Sequence, residues 1–134
     1  MNIAHFDDLL QAARAQPQPQ RLLMVFVAAQ LPPDASAEQR AGHQAGAGGE
    51  LEPLMCVDKS PQELADFAAL AAEAQAQHPG WALVFAGALG GSGGKTPADA
   101  TVDAALERML ESVRAGRLSG FIPFDRQGQA VNLG

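Results

Sequence analysis

Two long apolar runs constrain the fold of this chain more than any other feature. They read RLLMVFVAA, from Arg21 to Ala29, and WALVFAGAL, from Trp81 to Leu89. Each run is shorter than a typical helix and lacks the alternation of a strand with one wet face, so both of its faces must be covered. Such strands occupy the centre of sheets that carry helices on both sides. We therefore expect the two runs to lie side by side in a three-layer domain.

Helix signals surround these strands. Apolar residues recur at helical spacing from Ile3 to Ala15, with Asn2 as the expected N-cap. The segment Ser60-Pro61-Gln62-Glu63 has the form of a capping box with proline at the first helical position. It predicts a second helix that starts there and stops at His78-Pro79-Gly80. A continuous apolar stripe from Val102 to Val113 predicts a third helix.

Weaker patterns predict the remaining strands. Leu54 to Val57 is a short apolar run that indicates a strand. Gly120 to Phe124, a turn over Asp125-Arg126-Gln127-Gly128, and then Gln129 to Leu133 together indicate a β-hairpin at the end of the chain. Because proline lacks the N–H that a central strand donates, Pro123 predicts that the hairpin lies at an edge of the sheet.

These elements predict a single α/β domain over residues 1–134. Because helices separate most of the strands, we expect right-handed crossovers and a mostly parallel or mixed sheet of about five strands. The sheet is accompanied by about three main helices and the C-terminal β-hairpin. Residues 30–50 are rich in Ala, Gly, Gln and Pro, and predict a mobile excursion that holds one short helix.

The composition excludes several classes of function. A formal net charge of −6 repels nucleic acid and anionic membranes, and the basic residues are scattered. The single cysteine, Cys56, excludes an internal disulfide and agrees with a reducing compartment. No apolar run approaches the about 20 residues of a membrane helix, and no export signal is visible. We expect an acidic cytoplasmic protein that binds neither nucleic acid nor membrane.

The most suggestive motif is the glycine-rich loop GGSGGKT, from Gly90 to Thr96, which follows an expected strand. A P-loop needs the spacing G-x-x-x-x-G-K-S/T, because its amides wrap one phosphate while its lysine reaches another. Counting back from Lys95 puts Leu89 where that spacing requires glycine, and Pro97 disfavours a helical start at Thr96. The sequence therefore excludes a standard P-loop NTPase.

Two interpretations of this loop remain. In the first, Thr96 is an N-cap, Pro97 is the first helical residue and Asp99 is the acid of a capping box. In the second, a small anion or nucleotide binds at the N-terminus of the third helix, beyond the carboxyl ends of the strands. The residues of this cofactor-binding interpretation are Gly91, Gly93, Gly94, Lys95 and Thr96, helped by Asp58 and Lys59.

The sequence predicts no catalytic residue, no cofactor of its own and no metal ligand. Cys56 lies inside an apolar strand, where we expect a buried and inert thiol. The histidines His5, His43 and His78 lack the spacing of metal ligands, so we expect them to be solvated or locally bonded.

Three segments carry a resemblance to known proteins. They are FDDLL at Phe6–Leu10, PLMCVDKSP at Pro53–Pro61 and GFIPFDRQG at Gly120–Gly128. Through them the chain resembles a family of short bacterial proteins of unknown activity, often labelled "ribonucleotide reductase subunit alpha". That label does not describe an activity of this chain, because ribonucleotide reduction needs a radical-forming cysteine plus a cysteine pair, and the chain has one cysteine.

A looser resemblance is to the N-terminal domain of the SseB-like proteins. It rests on the order helix, apolar strand, long excursion, short strand of the form Pro-Leu-x-x-x-Asp and capped helix. The resemblance implies a non-enzymatic module.

Two functions thus remain open. The first is a non-catalytic module that acts through protein contacts or self-association, a homodimer being one way to cover a sheet edge. The alternative is a small-anion or nucleotide-binding protein that uses the loop from Gly90 to Thr96.

Overall fold

A computed structural model describes residues 3–30 and 50–131 of the chain. In this part of the chain no helix is long and apolar enough to cross a membrane. The elements are α1 (Phe6–Arg14), β1 (Gln20–Gln30), β2 (Glu50–Lys59), α2 (Phe67–Gln77), β3 (Leu83–Gly90), α3 (Asp99–Arg114) and β4 (Ile122–Phe124).

The four strands form one sheet in the order β2-β1-β3-β4, and every neighbouring pair is antiparallel. Strand β1 is central and pairs with β3 from Gln20 opposite Gly90 to Val27 opposite Leu83. The two apolar runs are therefore neighbours, as predicted. Strands β2 and β4 are the edges of the sheet, and Pro123 lies in the edge strand β4, as its missing N–H predicts.

Helices cover both faces of the sheet, which explains why the middle of β1 is apolar throughout. Helices α1 and α2 pack on one face and α3 packs on the other, so the domain has three layers. Burying a large apolar side chain contributes about 1.5–3 kcal/mol. Alternate residues of β1 serve the two layers: Leu22, Met24 and Phe26 face α1 and α2, whereas Leu23, Val25 and Val27 face α3.

The prediction of a mostly parallel or mixed sheet is wrong. Gln30 lies opposite Glu50, so the chain re-enters the sheet beside the strand that it has just left and runs back along it. Helix α2 does join two parallel strands, β2 and β3, but β1 lies between them. After α3 the chain returns to the end of the sheet that it left, because β4 enters opposite Ala86 and runs back along β3 to Val84. A helix between two strands therefore does not decide which strands become neighbours.

The described residues form four strands instead of the five expected, because the last arm of the predicted hairpin is reduced to a bridge. The turn Asp125–Gly128 is closed by the Gly128 N–H, which donates to the Asp125 carbonyl at 3.1 Å. Beyond it, only Phe124 and Ala130 form a bridge. The Val131 N–H still donates to the Pro123 carbonyl at 3.0 Å, but the Ala130 N–H donates to the Ala4 carbonyl at 2.8 Å, so this segment lies between β4 and the start of α1. Residues 132–134 lie outside the described part of the chain.

Helix α1 begins later than the sequence predicts. Its N-cap is His5, whose Nδ1 accepts the N–H of Asp7 at 3.0 Å. The carboxylate of Asp8 accepts the N–H of His5 at 3.0 Å and completes a capping box. His5 was not the expected N-cap because histidine is not among the residues that are preferred there. The expected N-cap, Asn2, lies outside the described residues.

Helix α2 also begins later than predicted, at Phe67, although the predicted capping box forms. The Ser60 hydroxyl accepts the Glu63 N–H at 3.3 Å, and the Glu63 carboxylate accepts the Ser60 N–H at 2.9 Å. The box closes a single turn, and α2 has its own N-cap in Asp66, whose carboxylate accepts an N–H of the first turn. The predicted helix end is correct, since His78 is the C-cap.

Two side chains of α1 explain this interruption. The guanidinium of Arg14 binds the carbonyl oxygens of Leu64 at 2.6 Å and Ala65 at 3.3 Å, which an uninterrupted helix would use for its own N–H groups. The carboxylate of Asp7 accepts the Phe67 N–H at 2.8 Å. Because both contacts come from a distant part of the chain, local capping rules do not reveal them.

The predicted start of α3 is wrong. The helix begins at Asp99 with Ala98 as its N-cap, and no side chain caps it. Thr96 is exposed, and Pro97 is buried but precedes the helix instead of opening it. The predicted end is correct: Gly116 has a φ of 76°, and the N–H groups at 116 and 117 bond back to the last turn.

The predicted mobile excursion at residues 30–50, with its short helix, lies outside the described residues except for its two ends. Those ends, Gln30 and Glu50, are paired with each other at the start of the β1–β2 ladder.

Candidate functional site

The glycine-rich loop is a tight turn. Ser92 and Lys95 bond each other through both backbone groups, with N···O distances of 3.1 and 3.0 Å. Between them, Gly93 and Gly94 have φ values of 60° and 77°. This is the geometry of a two-residue type I′ turn, in which both central residues have positive φ and glycine is favoured. The two glycines are therefore explained by the turn itself.

Most amides of the loop already have acceptors within the protein. The Gly91 N–H donates to the Pro19 carbonyl at 2.8 Å, and the Gly94 N–H donates to Oε1 of Gln18 at 2.8 Å. With the two bonds of the turn, four amides are engaged. A phosphate-binding loop instead points several amides at its ligand. An anion at this loop would have to replace bonds that the fold already makes.

The predicted helper residues lie at the same end of the sheet as the loop, on the opposite side of β1. Asp58 and Lys59 end β2, as Gly90 ends β3, and one strand separates them, which is a spacing of about 10 Å. Asp58 pairs with Arg21 at 2.7 Å, and this hydrogen bond raises the pKa of Arg21. Lys59 pairs with Glu73 at 3.3 Å. The sequence thus placed these groups at one end, and binding of an anion there stays a prediction.

Cys56 is exposed on β2, so the predicted buried thiol is wrong. The apolar run around it suggested a covered strand, but β2 is an edge strand and Cys56 lies where no helix covers it fully. Partial burial of the sulfur nevertheless raises the pKa of the Cys56 thiol, and the nearby positive charge of Arg114 offsets this only in part. Cys56 is therefore accessible and mostly protonated at neutral pH.

This pKa predicts a pH profile for alkylation of Cys56. Only the thiolate reacts, so a raised pKa lowers the rate at neutral pH and moves its rise to higher pH. With iodoacetamide, the native protein should react more slowly than the urea-unfolded chain at pH 7. Its rate should still be rising at the pH where the unfolded chain has levelled off. Equal profiles for the two states would contradict the shift.

A shallow cleft of about 380 Å³ opens between the starts of α1 and α2 and the turn at 125–128. Its wall combines charged and small apolar side chains. The lining residues are His5, Asp7, Asp66, Phe67, Ala68, Ala71, Arg126 and Gln127. Clefts of this volume are large enough for a small ligand, so the bonding of the polar groups decides what the cleft does.

The polar groups of the cleft bind the protein's own backbone. Nδ1 of His5 accepts an N–H of α1, which leaves Nε2 to donate to the Gln127 carbonyl at 3.0 Å. The Asp7 and Asp66 carboxylates accept N–H groups of α2. The guanidinium of Arg126 lies over the Trp81 ring at 5.4 Å and donates to the Pro79 carbonyl at 3.3 Å. These side chains hold the two helix starts and the turn together.

Within the described residues, the outer side of β2 has no neighbouring strand. The Pro19 carbonyl accepts the Gly91 N–H, and these two residues are opposite each other if the β1–β3 register is extended by one pair. Bonded and non-bonded pairs alternate along an antiparallel ladder, so the odd-numbered residues of β1 point their N–H and C=O groups at β3. Cys56 and Asp58 lie opposite two of these odd residues, Val25 and Leu23. Because Val25 and Leu23 point their backbone groups at β3, the N–H and C=O groups of Cys56 and Asp58 point away from β1. No strand of the described residues pairs with Cys56 and Asp58 on that side. We call this outer side, centred on Cys56 and Asp58, the β2 edge.

The side chains beside the β2 edge are less covered than those of β1. Leu54, Met55 and Val57 pack against the core that α1 and α2 cover, yet each stays half-buried. Pro53 and a bulge at Leu54 interrupt the first half of the strand, and both devices discourage unwanted pairing of an edge. The stretch from Met55 to Lys59 has neither device, and its two charges are paired with Arg21 and Glu73, so it is the part of the edge that is competent to pair.

No protein-family model matches this chain, and the curated proteins and the solved structures likewise give no match. The resemblances to the short bacterial family and to the SseB-like domain therefore stay predictions.

Within residues 3–30 and 50–131, no three His, Cys, Asp or Glu side chains lie together in a way that could hold a metal ion. Sequence reasoning found the glycine loop and the acid and base that share its end of the sheet. It missed the β2 edge and the cleft, because each depends on which elements become neighbours. Glu52, Pro53 and Asp58 within one strand were a signal for the edge, since charges and proline are typical of edge strands.

Proposed function

We propose that the protein is a non-catalytic interaction module of the cytoplasm, which binds a protein partner by strand addition at the β2 edge. The observation that carries the proposal is the outward direction of the backbone groups of Cys56 and Asp58, next to half-buried apolar side chains. Strand addition supplies main-chain hydrogen bonds, and the flanking side chains supply selectivity.

Two further observations support this function. The polar side chains of the cleft form hydrogen bonds with the protein backbone. Side chains with this bonding stabilise the fold, whereas catalytic side chains keep groups free to contact a substrate. The net charge of −6 favours a protein partner over nucleic acid or an anionic membrane. A single cysteine suits a reducing compartment such as the cytoplasm.

Photo-crosslinking in cells that make the full chain tests the proposal. A photo-reactive residue is placed at Glu52, which is exposed on β2, and in a second variant at Ala69, which is exposed on α2. We expect a protein adduct from position 52 and none from position 69. Cys56→Pro removes one outward N–H and should abolish the adduct, whereas Cys56→Ala keeps that N–H and should preserve it.

Proline at an edge position that does not bond to β1 is compatible with the fold, and the near-ultraviolet signal of Trp81 reports whether the core survives. If Cys56→Pro lost that signal, Asp58→Pro compared with Asp58→Ala would test the same edge. Adducts that form equally from both positions, or that survive both prolines in folded protein, would refute strand addition at β2.

The anion-binding alternative is tested separately, by melting the purified protein with ATP, GTP, inorganic phosphate or buffer alone. A ligand at 100 times its dissociation constant adds about 2.7 kcal/mol to stability. Because four amides of the loop are engaged internally, we expect equal melting temperatures. A rise with any of these anions that Lys95→Ala removes would establish the alternative.

A further inference from the structure

We infer that the strand added at the β2 edge is the β2 strand of a second copy of this chain, paired antiparallel about a twofold axis at Val57. The inference rests on the proposed function, because it names the partner of the same edge. In the dimer, Met55–Lys59 of one protomer lies along Met55–Lys59 of the other, and two four-stranded sheets become one continuous sheet.

The hydrogen-bonding pattern fits this register. An axis at Val57 sets Cys56 of one protomer opposite Asp58 of its partner, and the reverse. Both residues point their N–H and C=O groups outward, so each pair is a hydrogen-bonded pair of an antiparallel ladder. Val57 points its backbone groups at β1 of its own protomer. The two copies of Val57 therefore lie opposite each other as a non-hydrogen-bonded pair, between the two Cys56–Asp58 pairs. All outward groups of the stretch are thereby paired.

The side chains also match themselves in this register. On the face covered by α1 and α2, the two copies of Val57 become direct neighbours, with Met55 of each protomer beside them. These side chains are half-buried in one protomer, and the pairing would extend the core across the interface. No two like charges become opposite neighbours, because Lys59 faces Met55 and Asp58 faces Cys56.

Charge complementarity points to a second copy in preference to an unrelated strand. Helix α3 packs against β2, and Arg114, its last residue, carries a positive charge that acts on the Cys56 thiol. None of the ion pairs within the described residues involves Arg114. The pairing brings Asp58 of one protomer next to Cys56 of its partner, and hence to the partner's end of α3. Because Asp58 already pairs with Arg21 of its own protomer at 2.7 Å, the partner's Arg114 would be a second positive charge near the same carboxylate, at two places related by the twofold axis.

Sedimentation equilibrium of the purified full chain tests the inference. We expect a monomer–dimer equilibrium that Cys56→Pro shifts to monomer and Cys56→Ala leaves unchanged. Arg114→Glu should raise the dissociation constant at least about tenfold at low salt, since it places an acid beside Asp58. The matched control is Arg108→Glu, which changes the same charge on an exposed residue of α3 and should have little effect.

Crosslinking through the sole thiol then checks the register. With the axis at Val57, the two Cys56 residues are diagonal neighbours about 7–8 Å apart. A short bismaleimide should therefore join wild-type protomers, and should join a much smaller fraction of the maleimide-labelled protomers of the Arg114→Glu variant, a ratio that corrects for the effect of Arg114 on the thiol itself. A protein that stays monomeric, or a dimer that is indifferent to both Cys56→Pro and Arg114→Glu, overturns the inference. If cellular adducts at position 52 then contain a different protein, strand addition at the edge survives without self-pairing.

Discussion

Replacing Gly128 with alanine should lower the free energy of unfolding by about 3 kcal/mol, one of the two largest losses that we expect. Gly128 has a φ of 83°, which costs an alanine about 1–2 kcal/mol. A Cβ at this position would also lie 2.6 Å from Nε2 of His5 and 2.9 Å from the Phe67 ring. Relieving such contacts costs about 1–3 kcal/mol more, because both neighbours are held by their own bonds. Urea unfolding of the purified protein gives the value.

Gly116 provides the matched control. Its φ of 76° is nearly the same, but an added Cβ would meet no atom within 4 Å. Gly116→Ala should therefore cost only the backbone part, about 1 kcal/mol. If the two substitutions cost the same, the contacts of the added Cβ at position 128 with His5 and Phe67 do not lower the free energy of unfolding. The difference between the two variants measures how rigidly the turn at 125–128 is held against α1 and α2.

Trp81→Ala is the other large loss, at about 3–5 kcal/mol. The indole is almost fully buried and packs edge-on against Phe26, with ring centroids 5.1 Å apart. It also contacts Phe67 at 6.3 Å and supports the guanidinium of Arg126. Removing it would leave a large cavity between α2 and the sheet. Urea unfolding followed by far-ultraviolet circular dichroism measures the loss without relying on the tryptophan itself.

Trp81→Phe separates packing from hydrogen bonding at this position. The indole N–H is buried and has no acceptor among the described residues. Leaving such a donor unpaired costs about 1–3 kcal/mol, and phenylalanine removes the donor. The gain offsets part of the volume lost, so Trp81→Phe should cost much less than half of what Trp81→Ala costs. Nearly equal losses would mean that the indole N–H is satisfied in solution.

The central part of the fold could be predicted because burial leaves a direct record in sequence. The runs at Arg21–Ala29 and Trp81–Leu89 became the paired strands β1 and β3, with helices on both faces. The directions of the strands could not be predicted in the same way. A helix between two strands fits several topologies, and the choice depends on pairing between distant residues such as Gln30 and Glu50.

Helix starts show the same limit on a smaller scale. The capping box at Ser60 is real, yet Arg14 takes the carbonyls that would have continued the helix. Conversely, His5 caps α1 although its residue type rarely does so. The β2 edge escaped prediction because its apolar residues resemble those of any buried strand. Only the position of β2 at the end of the strand order makes Cys56 accessible.

The bond between the Ala4 carbonyl and the Ala130 N–H, with the one between His5 and Gln127, has a kinetic consequence. Closing a loop of this length is entropically costly, and contacts between distant residues slow folding. During synthesis the sheet and its α3 layer have most of their contacts before the turn at 125–128 emerges from the ribosome. Asp7 and Arg14 can hold α1 against residues 64–67 once these have been made, so the bonds from Ala4 and His5 to residues 127–130 add the last contacts of α1 and should fix its N-terminal end after its body.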